Sequence, residues 1–188
     1  MSYFPAFLKL DHKKILLIGG GVIAYEKLKH LLEFGSNISV IASALSPQMH
    51  AVLEEKKLHF KVRKYERGDI EKFDIVVVAI DNIALQEEIF QESRGYNCLC
   101  NCVDSVEYCD FIFSAYIKKD DLIVAVSTSG SSPAFAKQFK NYLLELIPPD
   151  IGVFLSQMAY LRKTLPKGKE RMKMLEQKVQ EYIKSWRK

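Results

Sequence analysis

Lys14-Ile-Leu-Leu-Ile-Gly19-Gly-Gly21-Val22-Ile-Ala24 is the stretch of sequence that decides the fold. An apolar run typical of a buried strand comes directly before a G-x-G-x-x-A turn and the start of a helical pattern. In such a turn Gly19 allows the sharp change of direction, Gly21 lets the backbone approach a pyrophosphate, and Ala24 lets the helix pack closely on the strand. The helix that begins near Val22 would point its first amides, and its dipole, at the phosphates. The stretch therefore predicts a dinucleotide-binding corner.

The first 104 residues alternate strand and helix patterns at the spacing of βαβ units. We expect strands over 15–18, 37–42, 58–62, 74–80 and 97–103, and helices over 22–34, 47–57 and 83–93. Gly35 is expected to close the first helix in the left-handed conformation. The third strand alternates and suits a sheet edge, whereas the fourth is apolar throughout and suits a central strand. This predicts an α/β fold with a Rossmann-like parallel sheet of order 3-2-1-4-5.

The pattern changes after Asp104. Two strand-like runs, 111–117 and 122–126, predict a hairpin, and three helical stretches follow at about 133–146, 150–164 and 168–185. The last third is distinctly basic, although the formal net charge of the whole chain is only +4. This basic region is either a solvated helix surface or a surface that attracts a polyanionic substrate. Because no nucleic-acid-binding motif accompanies it, we expect no nucleic-acid partner.

Composition indicates a soluble globular protein. The chain has 188 residues, of which 48% are hydrophobic, enough for one full domain and a smaller appendage. No apolar run approaches the roughly 18 residues that span a bilayer, and the N-terminus has no signal-like pattern. We therefore expect a cytoplasmic protein without a membrane partner.

The four cysteines lie close together, at positions 98, 100, 102 and 109. Cys98, Cys100 and Cys102 alternate, so on a strand they share one face. Metal sites more often place their ligands on turns, whereas free cysteine is among the most buried residue types. We expect these three residues to be small core residues, and we predict no metal site.

The residues after the second strand bear on the cofactor. Many dinucleotide folds place an acidic residue there to bind the adenosine ribose, but Ser43 and Ala44 provide neither an acid nor an arginine. Ser43 is a candidate for a weak ribose contact. NAD is favoured over NADP because no phosphate-binding cation stands at this point. After the fourth strand, Asp81-Asn82 either caps the next helix or also contacts the cofactor.

Two further segments are candidates for chemistry. Asp104 ends the fifth strand at the edge where open α/β sheets bind ligands, and there it is either a turn residue or a proton acceptor. The segment 127–133 offers five hydroxyls before a helix. It can cap that helix, bind an anion through its amides or line a pocket.

Taken together, these motifs resemble the siroheme synthase family, specifically its precorrin-2 dehydrogenase and sirohydrochlorin ferrochelatase module. The resemblance runs from residue 3 to about 145. It is carried by the following segments: Tyr3-Phe-Pro-Ala-Phe-Leu8, Gly19–Ala24 with Lys27, Asn101-Cys-Val-Asp104, Phe111-Ile-Phe113 and Val126-Ser-Thr-Ser-Gly-Ser-Ser-Pro133. Ser114 and Cys102 depart from the usual residues of the family in ways that packing should tolerate.

The resemblance implies three regions and a reaction. They are an NAD-binding Rossmann domain over 1–113, a small α+β dimerisation region over 114–147 and a C-terminal helical region over 148–188. The implied partners are a second copy of the chain and a tetrapyrrole with eight carboxylates. The implied reaction is the NAD-dependent oxidation of precorrin-2 to sirohydrochlorin, with ferrous iron insertion to give siroheme in some members.

The resemblance also assigns roles to residues. It places the catalytic aspartate at Asp104, and cofactor contacts at Val22, Ile23, Ser43 and Ala44. The turn Ser127-Thr128-Ser129-Gly130 becomes a substrate-binding or interface element. Two alternatives remain at this point: a non-catalytic NAD-binding redox sensor, and a dehydrogenase of another anionic metabolite.

Overall fold

The computed structural model describes residues 3–35 and 37–186. Between Ile112 and Phe113 the chain divides into two compact units. The elements of the first unit are β1 (Ile15–Ile18), α1 (Val22–Leu32), β2 (Ile38–Ala42), α2 (Pro47–Glu55), β3 (His59–Val62), β4 (Ile75–Val78), α3 (Ile83–Gly95), β5 (Leu99–Cys102) and a 3-10 turn (Val106–Tyr108). Those of the second unit are β6 (Ala115–Lys119), β7 (Leu122–Val126), α4 (Pro133–Leu146), α5 (Ile151–Thr164) and α6 (Lys169–Ser185).

The first unit is built on a five-stranded parallel sheet. Its order is β3-β2-β1-β4-β5, which confirms the predicted α/β class and strand order. All four residues of β1 and all four of β4 are buried, because these strands lie inside the sheet. The strand β3 lies at the edge and is mostly exposed, as its alternating pattern predicts. The winding reverses between β1 and β4, so their carboxyl ends frame a crevice.

The prediction that Gly35 closes α1 in the left-handed conformation is wrong. The helix ends at Leu32, and its C-cap Glu33 keeps right-handed helical angles (φ −69°, ψ −19°). The amides of Phe34 and Gly35 both donate to the carbonyl oxygen of Leu31 at 3.0 Å. The chain thus leaves α1 through a tightened last turn, which needs no left-handed residue.

The second unit combines the antiparallel hairpin β6–β7 with three helices. Ile117, Ile147 and Ile151 form its buried centre. Helix α6 is attached to α5 by stacking of the Tyr182 ring on Phe154, with ring centroids 3.8 Å apart. Among the described residues, no helix is both long and apolar enough to cross a membrane.

Candidate functional site

The turn between β1 and α1 owes its shape to three consecutive glycines with different constraints. Gly19 has φ +127°, and a Cβ there would collide with the carbonyl oxygen of Ala79. A Cβ on Gly20 would collide with the carbonyl oxygen of Ala44. A Cβ on Gly21 would meet no atom within 4 Å. Close strand packing therefore requires the first two glycines, whereas the third faces open space.

The N-terminus of α1 has no side-chain cap. Its N-cap is Gly21, whose missing side chain leaves the first-turn amides without an internal acceptor. Val22 and Ile23, the first two residues of the helix, are 72% and 51% exposed. Ala24 is fully buried, which lets α1 approach β1. These uncapped amides and the open space at Gly21 fit a diphosphate, because a helix N-terminus attracts anions.

A cleft of about 1150 Å³ lies at this edge of the sheet. It is somewhat larger than the roughly 300–1,000 Å³ of ordinary small-molecule sites, as an extended dinucleotide requires. The structure brings to this cleft every residue of the first unit for which the sequence predicts a cofactor or catalytic role: Gly19, Gly21, Val22, Ile23, Ala24, Ser43, Ala44, Asp81 and Asp104. The glycine corner and Asp104 thus share one cavity within the first unit.

Asp104 lies in a supported turn immediately after β5. Its backbone is left-handed (φ +68°), a conformation that aspartate tolerates better than most residues. The next residue, Ser105, donates its hydroxyl proton to Oε1 of Gln86 at 2.5 Å. The Nε2 of Gln86, a buried residue, donates to the carbonyl oxygen of Ile80 at 2.8 Å. This chain of hydrogen bonds ties the turn that carries Asp104 to the end of β4.

Lys27 is a charged neighbour of Asp104 to which the sequence analysis assigns no role. It lies on α1 and is half-buried. Burial lowers the pKa of its ammonium, while the nearby Asp104 and Cys109 side chains act in the opposite direction. Its position one turn after Ala24, on the helix that follows the glycine corner, is the signal that would have identified it.

The neighbouring residues Asp81 and Asn82 have different roles. The Oδ1 of Asn82 accepts the amide proton of Leu85 at 3.1 Å, so Asn82 is the N-cap of α3. Asp81 does not serve as the cap and lines the cleft instead. Its contact with a cofactor stays a prediction.

The hydroxyl-rich turn belongs to the second unit, and several of its hydroxyl oxygens accept hydrogen bonds from nearby backbone amides. The Oγ of Ser127 accepts from the amide of Ser129 at 3.1 Å, and the Oγ1 of Thr128 accepts from the amide of Ser132 at 3.0 Å. Ser132 caps α4 by accepting from the amide of Phe135 at 3.2 Å. Ser129 and Gly130 turn the chain with φ of +51° and +86°. Substrate binding by residues 127–130 stays a prediction.

The three cysteines on β5 and directly before it are core residues, as predicted. Cys98, Cys100 and Cys102 are at most 2% exposed and belong to the main hydrophobic cluster. Burial raises the pKa of the Cys98 thiol to about 11, and a hydrogen bond with Cys102 together with burial raises that of Cys100. The thiols of Cys98 and Cys100 are therefore neutral and unreactive at ordinary pH. Within residues 3–35 and 37–186, no group of three or more His, Cys, Asp or Glu residues is arranged to hold a metal ion.

Three further cleft residues come from the end of β3 and were missed by the sequence analysis. They are Arg63, Lys64 and Tyr65. The strands β2 and β3 are parallel neighbours, so the residues that follow each strand lie side by side at the same sheet edge. The predicted strand order already places the residues after β3 next to those after β2, but of these two segments only the one after β2 was expected to contact the cofactor.

Comparison with known proteins places this architecture among nucleotide-binding proteins. Residues 6–115 match a family model described as NAD(P)-binding, which confirms the predicted cofactor class. Siroheme synthase 1 of Serratia proteamaculans is 33% identical over 152 residues, which are 81% of this chain and 32% of that protein. The siroheme synthase of Methylococcus capsulatus is 33% identical over 163 residues, 87% of this chain and 34% of that protein.

These matches confirm the resemblance that the motifs predict. The chain spans about a third of the length of the curated relatives it matches. Among solved structures, SirC, described as a precorrin-2 dehydrogenase, superposes with a TM-score of 0.79 at 23% identity. The match covers 96% of this chain and 91% of SirC. This likeness supports the fold.

Proposed function

The chain belongs to the NAD(P)-binding family, and on that premise we propose that it is a dehydrogenase that oxidises precorrin-2 to sirohydrochlorin with NAD. One observation carries the proposal. The glycine corner, the ends of β2 and β4 and the carboxylate of Asp104 line a single cleft. A cofactor and a proton acceptor can therefore meet around one substrate. We take the identity of the substrate from the descriptions of similar proteins, which are siroheme synthases and the precorrin-2 dehydrogenase SirC.

The residues of the glycine corner would hold the cofactor. The amides of Val22 and Ile23 would bind its diphosphate, and Ser43 and Ala44 would contact the adenosine ribose. When bound, the nicotinamide ring accepts a hydride. Gly19, Gly20 and Ala24 bring α1 close to the sheet, and this close approach aims the amides at the diphosphate.

Asp104 would act as the general base. Dehydrogenation of the tetrapyrrole releases one hydride, which goes to the nicotinamide, and one ring proton, and the Asp104 carboxylate would accept that proton. The hydrogen bonds of Ser105 and Gln86 hold the turn in place, so the carboxylate needs little reorganisation. A positioned general base contributes about 10²- to 10⁴-fold to a rate.

The second unit would contribute to binding of the substrate and to assembly of the dimer. The basic residues of its helices and of the loop between α5 and α6 suit a substrate with eight carboxylates; they are Lys137, Lys140, Arg162, Lys163, Lys167, Lys169, Arg171, Lys173 and Lys178. A homodimer in the cytoplasm, with residues 127–130 near the substrate or the dimer interface, completes the proposal. Ferrous iron would enter as a second substrate in a separate step.

The test is turnover of precorrin-2. Purified protein given precorrin-2 and NAD should form NADH and sirohydrochlorin in equal amounts. If no NADH appears where a siroheme synthase is active, the proposal fails. Titration with sirohydrochlorin separates the enzyme from a redox sensor, because a sensor has no reason to bind a tetrapyrrole. Anaerobic incubation of sirohydrochlorin with ferrous iron, against the uncatalysed rate, tests iron insertion independently.

A further inference from the structure

The loop after β3 places two cations at the side of the cleft where the adenosine would lie. Arg63 and Lys64 line the cleft together with Ser43 and Ala44. In the sheet, Ala42 at the end of β2 is paired with Val62 at the end of β3. The two segments that follow these strands therefore leave the sheet side by side.

Arg63 is occupied within its own loop. Its Nη1 and Nη2 donate to the two carboxylate oxygens of Asp69 at 2.7 and 2.6 Å. The same Nη1 donates to the carbonyl oxygen of Lys64 at 2.9 Å. The guanidinium also forms an ion pair with the carboxylate of Glu66 at 3.8 Å. It thus pairs with two carboxylates of its own loop and fixes the backbone of the next residue.

A further acidic residue that packs against this loop, Glu92, is also engaged. The carboxylate of Glu92, on α3, accepts from the Tyr65 hydroxyl at 2.8 Å and from the Gly68 amide at 2.6 Å. Asp69 additionally accepts from the amide of Glu66 at 2.9 Å. No carboxylate of the described residues forms an ion pair with Lys64, which is exposed. Lys64 is therefore a cation with no carboxylate partner among the described residues, on a loop held by the hydrogen bonds of Arg63, Asp69 and Glu92.

The adenosine side of the cleft also lacks a carboxylate. The acidic residues that line the cleft are Asp81 and Asp104, which follow β4 and β5. Where a dinucleotide fold selects NAD, an acid after the second strand binds the ribose 2′-hydroxyl; a nearby cation instead accommodates a 2′-phosphate. This chain has Ser43 in place of the acid and Lys64 beside it.

We propose that Lys64 binds the 2′-phosphate of NADP, so that the cleft accepts NADP as well as NAD. Ser43 leaves room for the phosphate, and Arg63 holds the Lys64 backbone at the edge of the site. The inference rests on the proposed function only in that the dinucleotide binds at the glycine corner. It does not depend on the identity of the substrate that is oxidised.

The test is calorimetric titration of the full chain with NAD, NADP and the fragments 5′-AMP and 2′,5′-ADP, without any tetrapyrrole. We expect NADP to bind at least as tightly as NAD, and 2′,5′-ADP to bind more tightly than 5′-AMP. Loss of one exposed charge-assisted hydrogen bond in Lys64→Gln should weaken NADP binding by about tenfold. The affinity for NAD should change by less than about twofold, since NAD lacks the group that Lys64 contacts.

Lys61→Gln is the matched control, because Lys61 is an exposed lysine on β3, three residues before Lys64, that does not line the cleft. It should leave both affinities unchanged. The inference is overturned if the wild-type protein binds NAD but binds NADP more than tenfold less tightly, or if Lys64→Gln weakens both dinucleotides equally. NAD binding without oxidation of precorrin-2 contradicts the proposed function alone. If neither dinucleotide binds, both proposals fail.

Discussion

Two turns of this molecule join a strand to a helix with small residues, and they treat the helix N-terminus in opposite ways. The turn before α1 uses Gly21 as its N-cap and provides no side-chain acceptor for the first amides. The turn before α4 uses Ser132 as its N-cap, and the hydroxyls of Ser127 and Thr128 accept further amides of the turn. Glycine thus leaves a helix terminus free for an external anion, whereas serine and threonine fill it with their own oxygens.

The comparison explains why one turn suits a cofactor and the other does not. A diphosphate competes with nothing at α1, because no side chain already accepts from its first-turn amides. At α4 it would have to displace hydrogen bonds that the turn makes internally. Residues 127–130 would therefore contact a substrate through exposed side chains or through backbone groups that remain free, and not as a phosphate cradle.

The largest difference between the two turns is expected in the free energy of unfolding when the positive-φ glycine of each is replaced by alanine. Gly19→Ala combines an unfavourable φ with a collision against the Ala79 carbonyl. It should lower the free energy of unfolding by about 3 kcal/mol or more. Gly130→Ala also has an unfavourable φ but meets no atom within 4 Å, so it should cost about 1 kcal/mol. Urea denaturation measures both, and equal losses would contradict the packing argument.

Gly21→Val should have the next largest effect, and it should change the affinity for NAD and not the stability of the fold. Its backbone is extended (φ −81°, ψ −169°) and suits valine, and the added side chain would enter the open space before α1. Loss of one or two charge-assisted hydrogen bonds should weaken NAD binding by roughly a hundredfold. Calorimetry gives the affinity, and circular dichroism verifies the fold. An unchanged affinity would place the diphosphate elsewhere.

Ser132→Ala should have the smallest effect, and on stability alone. Loss of this N-cap costs about 1 kcal/mol and lowers the melting temperature by a few degrees. The affinity for NAD should not change. Ser131→Ala is the control, since the Ser131 hydroxyl makes no hydrogen bond with the described part of the chain. A loss of NAD affinity in Ser132→Ala would show that the two turns do not divide these roles.

The sequence predicts the sheet and its glycine corner because both depend on local patterns. Apolar runs such as 74–80 and the spacing of Gly19, Gly21 and Ala24 are visible along the chain. The constraint on Gly20 was missed, because it arises from the carbonyl of Ala44, which follows another strand. Lys64 was missed for the same reason: its place beside Ser43 follows from pairing of β2 with β3.

The end of α1 shows a different limit of local reasoning. Glycine just after a helical pattern commonly adopts the left-handed conformation, but Gly35 does not. The carbonyl groups of His30 and Leu31 in the last turn accept from the amides of Glu33, Phe34 and Gly35. The hydrogen bonds of the last turn thus replace the left-handed residue that the glycine pattern predicts.

The most direct test of the central claim is the rate of NADH formation from precorrin-2 in the wild-type protein and in Asp104→Asn. Asparagine suits the left-handed backbone at this position (φ +68°), so the substitution should remove the base without disturbing the turn. We predict NADH formation by the wild type and a loss of about a hundredfold or more in the variant, with NAD affinity unchanged. A wild-type rate in Asp104→Asn, or no NADH from the wild-type protein, would contradict the account.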